Sequence, residues 1–344
     1  MKLRRMLLAV IITGALVGVA YVGQTSEPAG VRMVTAAEKF HDSLDKEKRD
    51  KATFAFDDKE RTNWAFTPQQ DKEKRTTRKG LPLVEMSEEQ KKADFDLLKA
   101  GTSPEGAKKA TTIMSLENIL HDLEKNGAMV RNPGWYFFTI FGPPSKSGKW
   151  GWRVEGHHLA LNFVIDGGKV ASATPAFFGA NPATVLDGSR KGLRTLPEAE
   201  DLAKELFKSL DDGQLKVARQ DKMFPEVQEK KAAPQVGDAV GLPASRMKPE
   251  QRSVLVKLLQ SYADRMPPDV AAHEMSQVKE AGLDNVHFAY AGGIQPGEPY
   301  SYRVQGPTFV VEFLNVQADS AGNKANHIHS AWRSLKNDFG LMTR

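Results

Sequence analysis

The first third of the chain, residues 31–130, has the apolar spacing of helices. Val34, Ala37 and Phe40 recur about one turn apart, which predicts a first helix. Ser87 and Gln90 stand three residues apart, as in a capping box, and predict a helix from there to about Ala100. Two further helices are predicted over 103–109 and 116–125.

Alternating apolar and polar positions replace this spacing in two later blocks, residues 135–178 and 286–332. Asp166-Gly167-Gly168 predicts a hairpin turn, because glycine accepts positive φ. The predicted strands of the two blocks are 136–141, 150–155, 157–165, 169–173, 286–291, 300–304, 309–314 and 326–332.

Between the blocks, the pattern predicts a helix over 198–210, a short strand over 215–219 and an exposed connection over 225–243. Helices are then predicted over 248–262 and 268–281, and no internal repeat is evident. These elements predict a single large α+β domain over 31–344, with a mixed or antiparallel sheet from the two strand blocks and helices packed on it.

The N-terminus has the layout of a secretory signal. A basic start at Lys2, Arg4 and Arg5 precedes an uncharged apolar run over 6–22, and Gly18-Val19-Ala20 supplies the small residues of a cleavage site. We therefore expect residues 1–20 to be a signal peptide and the protein to be periplasmic or secreted. The alternative is a retained membrane anchor over 6–22, since a run of about 17 residues is at the lower limit for a span.

The amino-acid composition limits which kinds of chemistry and which partners the protein can have. The chain has no cysteine, which excludes disulfides and thiolate chemistry. The 48 Lys and Arg against 43 Asp and Glu give +5, but three of the basic residues lie in the predicted signal. The remainder is nearly balanced, so no nucleic-acid partner is expected.

Four of the eight histidines fall in two short segments that are predicted as strands. His327 and His329 would share one strand face, whereas His157 and His158 would point to opposite faces. Two alternative metal-binding sets follow for zinc or copper. One is Glu155, His157, His327 and His329; the other is His158, Asn162, His327 and His329.

Charged residues in the strands supply further candidates. Glu155 or Glu312 could act as a catalytic base or orient a ligand, and Arg333 or Arg153 could contact an anionic substrate group. Trp332 could stack a ligand. Simple ion pairing of the arginines, and burial of hydrogen-bonded histidines, are the structural alternatives.

Three motifs in order resemble a known family. They begin at Trp150, Thr174 and Asn326, and read WGWRVEGHHLALN, TPAFFGANP and NHIHSAWR followed by NDFG. Together they resemble the bacterial and fungal family known as domain of unknown function 3500, over nearly the whole mature chain. The resemblance implies an exported or membrane-associated setting, and it brings no reaction and no catalytic residues.

The histidine segments favour a metal-dependent hydrolase acting outside the cytoplasm. An alternative from another class is an exported protein that binds a small molecule or a glycan without catalysis, through Trp135, Trp150, Trp152 and Trp332. A structural protein with buried histidines is the third. These alternatives differ in whether the two histidine segments meet at an accessible point.

Overall fold

The computed structural model describes residues 27–125 and 127–342, and the predicted signal peptide lies outside them. The centre of the described chain is one open sheet of 13 strands, in which β1 and β8 run parallel to their neighbours and the other ladders are antiparallel. The α+β fold with a mixed sheet is therefore confirmed. The order across the sheet is β1-β3-β4-β5-β7-β13-β12-β11-β10-β8, with β2 beside β3, β6 beside β5 and β9 beside β10.

The strands follow the two predicted blocks, with short additions near the two edges of the sheet and the three-residue strand β7 at its centre. Their bounds are β1 Thr53–Phe54, β2 Leu81–Pro82, β3 Phe137–Phe141, β4 Lys149–Gly156, β5 Leu159–Asp166, β6 Lys169–Ser172, β7 Ala176–Phe178, β8 Arg219–Gln220, β9 Leu242–Pro243, β10 His287–Gly292, β11 Tyr300–Gln305, β12 Phe309–Gln317 and β13 His327–Ser334.

Helices cover one face of the sheet, and their apolar sides form the large core with Trp152, Phe163 and Tyr302. None of the described helices combines the length and the apolar character that crossing a bilayer requires. Their bounds are α1 Ala29–Asp42, α2 Lys46–Ala52, α3 Glu88–Gly101, α4 Pro104–Leu123, α5 Pro197–Lys208, α6 Asp212–Ala218, α7 Pro249–Ala263 and α8 Pro268–Glu280.

Three local predictions are wrong. The helices predicted over 103–109 and 116–125 are one helix, α4, whose middle turns bury Ala110, Ile113 and Met114 in the core. The strand predicted over 215–219 is mostly helix α6, which Asp211 and Gln214 start with a capping box. His157 and His158 lie in the tight turn between β4 and β5, and not in a strand.

The two halves of the chain repeat one plan, contrary to the expectation of no repeat. Each half runs through two helices, a short parallel edge strand, a long irregular segment, a two-residue strand, a short 3-10 turn, two helices and an antiparallel meander. The sheet order is correspondingly symmetric about its centre, where Ala176 of β7 is paired with Trp332 of β13.

Sequence matches support this repeat. Gly80-Leu81-Pro82 with Met86 and Gln90 corresponds to Gly241-Leu242-Pro243 with Met247 and Gln251. Both glycines have φ near +100°, at +101° and +95°, and a side chain on either would contact the backbone of the adjacent strand. Trp152-Arg153-Val154-Glu155-Gly156 likewise corresponds to Tyr302-Arg303-Val304-Gln305-Gly306.

The second face of the sheet is covered by irregular chain. Residues 55–80 and 221–241, which we call the first and second covering segments, lie over a smaller core that contains Phe66, Phe177 and Leu314. The prediction of an exposed connection over 225–243 is thus wrong in part, since Val227 is buried. Carbonyl groups of the second covering segment instead accept hydrogen bonds from buried arginines of the sheet.

Candidate metal centre

Three histidines from distant parts of the chain converge at the edge of the smaller core. His158 Nε2 lies 2.8 Å from His327 Nε2 and 3.2 Å from His329 Nε2. The nitrogens of His327 and His329 are 3.1 Å apart. His158, His327 and His329 therefore form a group that could hold a metal ion.

Local backbone geometry fixes the position of His158. Its φ of +63° is unusual for a residue with a side chain, and it turns the chain sharply between β4 and β5. The His158 N–H donates to the Phe66 carbonyl, and its own carbonyl accepts from the N–H of Gly179, both at 2.8 Å. A Cβ at Gly179 would lie 3.2 Å from that of His158 and 2.7 Å from the Ile328 carbonyl, so glycine permits this approach.

The other two ligands come from the start of β13. His327 and His329 are two residues apart and share the sheet face of the smaller core, as predicted for a strand. The ladder between β12 and β13 shifts register between Leu314 and Gln317, and Asn315 Oδ1 accepts from the His327 N–H at 3.0 Å. This bulge turns the imidazole of His327 toward its neighbours.

Burial and the neighbouring rings favour neutral imidazoles at His158 and His327. Burial lowers the pKa of His158 well below its usual value and lowers that of His327 to about 3, with the neighbouring histidines adding to both shifts. A neutral Nε2 has either one proton or one lone pair, so protons alone cannot satisfy three Nε2 atoms in mutual contact. A cation between three lone pairs would satisfy all of them.

The separation of the nitrogens suits a small transition-metal ion. Atoms 2.8, 3.1 and 3.2 Å apart lie about 1.8 Å from a common centre. An ion at the usual zinc–nitrogen distance of about 2.0–2.1 Å would stand about 1 Å above their plane. Three ligands on one side leave a fourth, tetrahedral position for water or a substrate atom.

Carboxylates orient the rings from outside the trio. His329 Nδ1 lies 2.8 Å from Glu226 Oε2 of the second covering segment. Donation from Nδ1 to this carboxylate leaves a lone pair on Nε2, which is the tautomer that a metal ligand requires. His157 does not join the trio. Its ring stacks on His158 at 3.7 Å between centroids, and its Nδ1 is hydrogen-bonded to Glu117.

The surroundings of the trio are apolar on one side and open on the other. Phe66 and Phe177 pack against His329, at 5.1 and 5.7 Å between ring centroids. His327 is partly exposed, and the Glu226 side chain is 43% exposed. Solvent therefore reaches Glu226 and part of His327, whereas His158 and His329 are buried.

The structure places the predicted residues Glu155 and Arg153 in a buried ion-pair network of the sheet. Glu155 lies 3.1 Å from Arg153 and 3.3 Å from Arg78, and it accepts from the Ala65 N–H. Arg153 also pairs with Glu60 at 2.8 Å. These contacts join the sheet to the first covering segment.

Glu312 and Arg333 have buried partners of their own. Glu312 accepts from Arg303 at 2.9 Å, and burial raises the pKa of its carboxyl although Arg303 opposes the shift. Arg333 donates to Asp338 at 2.8 Å and to the carbonyls of Gln228 and Lys231. Both belong to the packing between the sheet and the second covering segment.

The two predicted ligand-binding residues without charge are also buried. Asn162 Nδ2 donates to the Pro175 carbonyl at 2.9 Å. Trp332 lies on the helix-covered face, stacked on Phe309 at 5.0 Å, whereas the histidine trio lies on the opposite face. The predicted metal ligands that converge are therefore His158, His327 and His329.

The sequence reasoning missed the residues around the trio. Glu226 falls in a stretch predicted as an exposed connection, and Glu117 falls in the helix predicted over 116–125, where no pattern connects it to the histidines. The only local sign was the apolar Phe224 and Val227 beside Glu226, which indicates contact with a core. Phe66, which lies against His329, had no pattern that connected it to the histidines.

The comparison with known families agrees with the resemblance of the three motifs. The chain belongs to the family described as Protein of unknown function (DUF3500), whose model matches residues 27–341. No curated protein and no solved structure matches the chain. The family thus brings no reaction, and the function must be argued from the histidine centre.

Proposed function

We propose that the protein is a metal-dependent hydrolase that binds a divalent ion, zinc or copper, through His158, His327 and His329. The observation that carries the proposal is the convergence of three histidine Nε2 atoms within 3.2 Å of one another. Residues 1–20 have the pattern of a signal peptide, so this activity would be exported.

The donor set favours catalysis over a purely structural ion. Structural zinc sites use four protein ligands, whereas catalytic sites use three and keep one position for water. The three histidines would hold an ion that lowers the pKa of a bound water to about 7 and so supplies a hydroxide nucleophile. Phe66 and Phe177 supply the apolar wall that strengthens the charge interactions there.

Metal analysis tests whether the protein binds an ion at this centre. The chain from residue 27 should contain close to one equivalent of metal by elemental analysis, and His329→Ala should lose it. His273→Ala removes an exposed histidine of α8 and is the matched control, which should keep the metal. Wild-type protein that neither contains metal nor gains thermal stability from added zinc or copper would refute the proposal.

Glu226→Gln tests whether this carboxylate orients the His329 ring for metal binding. It keeps the shape of the side chain but weakens the charge-assisted bond to His329 Nδ1. We expect metal affinity to fall about 10- to 100-fold, as for other partners of metal-bound histidines. Equal affinity in wild type and Glu226→Gln would show that this carboxylate does not orient the ligand.

The hydrolytic step is tested with the metal-loaded protein and an activated ester. The rate should increase with pH, with a midpoint near the pKa of about 7 for metal-bound water. It should disappear in His329→Ala and persist in His273→Ala. If the protein binds metal but the rate equals that of the control without protein, the ion is structural and the hydrolase assignment is wrong.

A further inference from the structure

The second half of the molecule has an open groove where the first half is packed. The groove lies on the helix-covered face, between α5, the β10–β11 connection and the long connection from β12 to β13. Its volume is about 660 Å³, within the range of about 300–1,000 Å³ that is usual for small-molecule sites. In the first half, the equivalent turn from β5 to β6 lies directly against α1, where a Cβ on Gly30 would be 2.3 Å from the Gly168 carbonyl oxygen.

The floor of this groove is polar, whereas the equivalent positions of the first half are apolar. Tyr300 and Asn315 are paired in the ladder between β11 and β12, and both line the groove. The equivalent pair in the ladder between β4 and β5 is Trp150 and Ile165, which belong to the large core. Two core positions of the first half are therefore polar in the second half.

The helix beside the floor shows the same exchange. Glu200 of α5 is equivalent to Val34 of α1, because both stand nine residues before a Ser-Leu-Asp sequence whose aspartate caps the next helix. The Tyr300 hydroxyl donates to Glu200 Oε2 at 2.8 Å, so the exchanged residues are hydrogen-bonded to each other. Burial of polar groups costs free energy, and here the second half has given up apolar packing at three positions that line a groove.

The carboxylates that line the groove already have donors. Glu200 also accepts from Arg194 at 3.2 Å, and Asp201 accepts from both terminal nitrogens of Arg194 at 2.8 and 2.7 Å. Glu298 accepts from two N–H groups of its own connection, at 3.0 and 2.8 Å. These acidic groups are therefore used within the protein.

Three lysines of the groove have no such partner. Lys204 and Lys208 lie one turn apart on α5, and Lys324 lines the groove from the β12–β13 connection. Among the residues that the structure describes, no carboxylate oxygen lies within 4.0 Å of these three ammonium groups. The groove therefore offers positive charge and hydrogen-bond donors to a ligand.

Lys204 is the best placed of these cations. Its Nζ lies 4.2 Å from the centre of the Tyr300 ring, which holds the side chain over the polar floor. Burial lowers the pKa of Lys204, although the nearby charges of Glu200 and Asp201 oppose the shift. An anion in direct contact with Nζ would stabilise the charged form.

The groove also has an apolar wall. Leu186 is 49% exposed although its side chain is large and apolar, and Ile294 and Pro296 line the same groove. A ligand that covers these side chains would remove apolar surface from water. The lining therefore combines cations with an apolar contact surface.

We propose that this groove binds a small organic anion, whose oxyanion group contacts Lys204 and Lys324 and whose apolar body contacts Leu186 and Ile294. A phosphate or carboxylate group supplies the charge and the acceptor atoms that the lysines lack. The site is distinct from the metal centre, because the histidine trio lies on the opposite face of the sheet.

The test is isothermal titration calorimetry of the His329→Ala protein, which lacks a ligand of the metal centre. The probes are phenylphosphonate and benzoate, compared with sodium chloride and neutral benzamide at matched ionic strength. At least one of the two anions should bind saturably, and benzamide should not. Lys204→Gln in this protein should weaken binding about tenfold, as expected for the loss of a charged hydrogen bond, and Lys324→Gln should weaken it several-fold.

Lys257→Gln is the matched control. It removes an exposed positive charge from α7, outside the groove, and should leave the affinity unchanged. Binding of phenylphosphonate alone would assign a phosphate-type ligand, and binding of benzoate alone would assign a carboxylate.

The outcomes also separate this site from the metal centre. Metal content should be equal in the wild type and in Lys204→Gln on the wild-type background, so a failure of anion binding leaves the hydrolase proposal intact. If Lys204→Gln does not fold, Lys324→Gln decides the question, because Lys324 is exposed. Anions that bind no more strongly than chloride, or that bind equally with and without the two lysines, would overturn the proposal.

Discussion

The two halves of the molecule have the same plan but differ where the chemistry lies. The turn after Gly156 contains His157 and His158, whereas the turn after the equivalent Gly306 contains Pro307 and Thr308. One strand later, the histidine is in the second half. His329 of β13 is paired with Leu314 of β12, whereas the equivalent Val164 of β5 is paired with Ser172 of β6.

This difference shows how an asymmetric centre can arise from a repeated fold. The first half supplies one ligand, the second half supplies two, and neither half has the complete set. The halves meet at β7 and β13, where Ala180 and Ile328 exchange backbone hydrogen bonds at 2.8 and 2.9 Å. A metal ion bound by the trio would therefore also connect the two halves.

The largest expected effect concerns the buried arginines of the halves. Arg303 is opposite Glu312 in its ladder, whereas Arg153 is opposite Asn162 and takes its carboxylates from Glu155 and Glu60. Glu312→Asn would place at this position the asparagine that the first half has at Asn162, and it would leave Arg303 without a carboxylate partner. We expect a loss of about 3–5 kcal/mol in the free energy of unfolding by urea denaturation.

Metal content and ester hydrolysis by the folded fraction should remain unchanged in Glu312→Asn. A variant with normal stability and no activity would instead support the role of Glu312 as a catalytic base, which the sequence suggested. The nearby Asn162→Ala variant, which removes no charge, is the control and should cost less.

Sequence periodicity predicted most of the fold because the two meanders and the long helices bury continuous apolar faces. The Trp152 and Phe313 strands alternate clearly, and the Ser87 capping box starts α3 as expected. The covering segments were not predicted, because their role is to supply carbonyl groups to Arg303 and Arg333. Backbone acceptors leave no pattern in the side chains.

The histidine centre was predicted in part for a related reason. Strand alternation put His327 and His329 on one face, but it could not choose between His157 and His158. The positive φ of His158 made that choice, together with hydrogen bonds to Phe66 and Gly179. The repeat itself was hidden because only short stretches, such as Gly80 to Gln90 and Gly241 to Gln251, keep matching residues.

A smaller effect is expected from Glu274 of α8. Counted from the proline that begins each helix, the equivalent residue in α4 of the first half is Ala110. The pKa of Glu274 is raised from 4.5 to about 7 in the folded state. Because the unfolded carboxyl ionises first, the wild type should lose up to about 3 kcal/mol of stability as pH increases from 4.5 to 7. Glu274→Gln should lack this component when urea denaturation is compared at pH 3.5 and pH 8 (about one unit beyond either end). Parallel pH profiles for both proteins would contradict the assignment.

The smallest expected effect concerns α3 and α7, the equivalent helices that follow the two-residue strand and the 3-10 turn in each half. Asp94 of α3 corresponds to Leu255 of α7, and both side chains are fully buried. Neither carboxylate oxygen of Asp94 has a hydrogen-bond partner among the residues that the structure describes, and burial raises the pKa of this carboxyl well above its usual value of 3.8. Asp94→Leu copies the second half and should raise the free energy of unfolding by about 1–2 kcal/mol at neutral pH. The gain should shrink toward pH 3, because the unfolded aspartate then no longer ionises. Asp94→Ala provides the same test without added volume, and destabilisation by both variants at pH 7 would show that the carboxyl has a favourable role in the core.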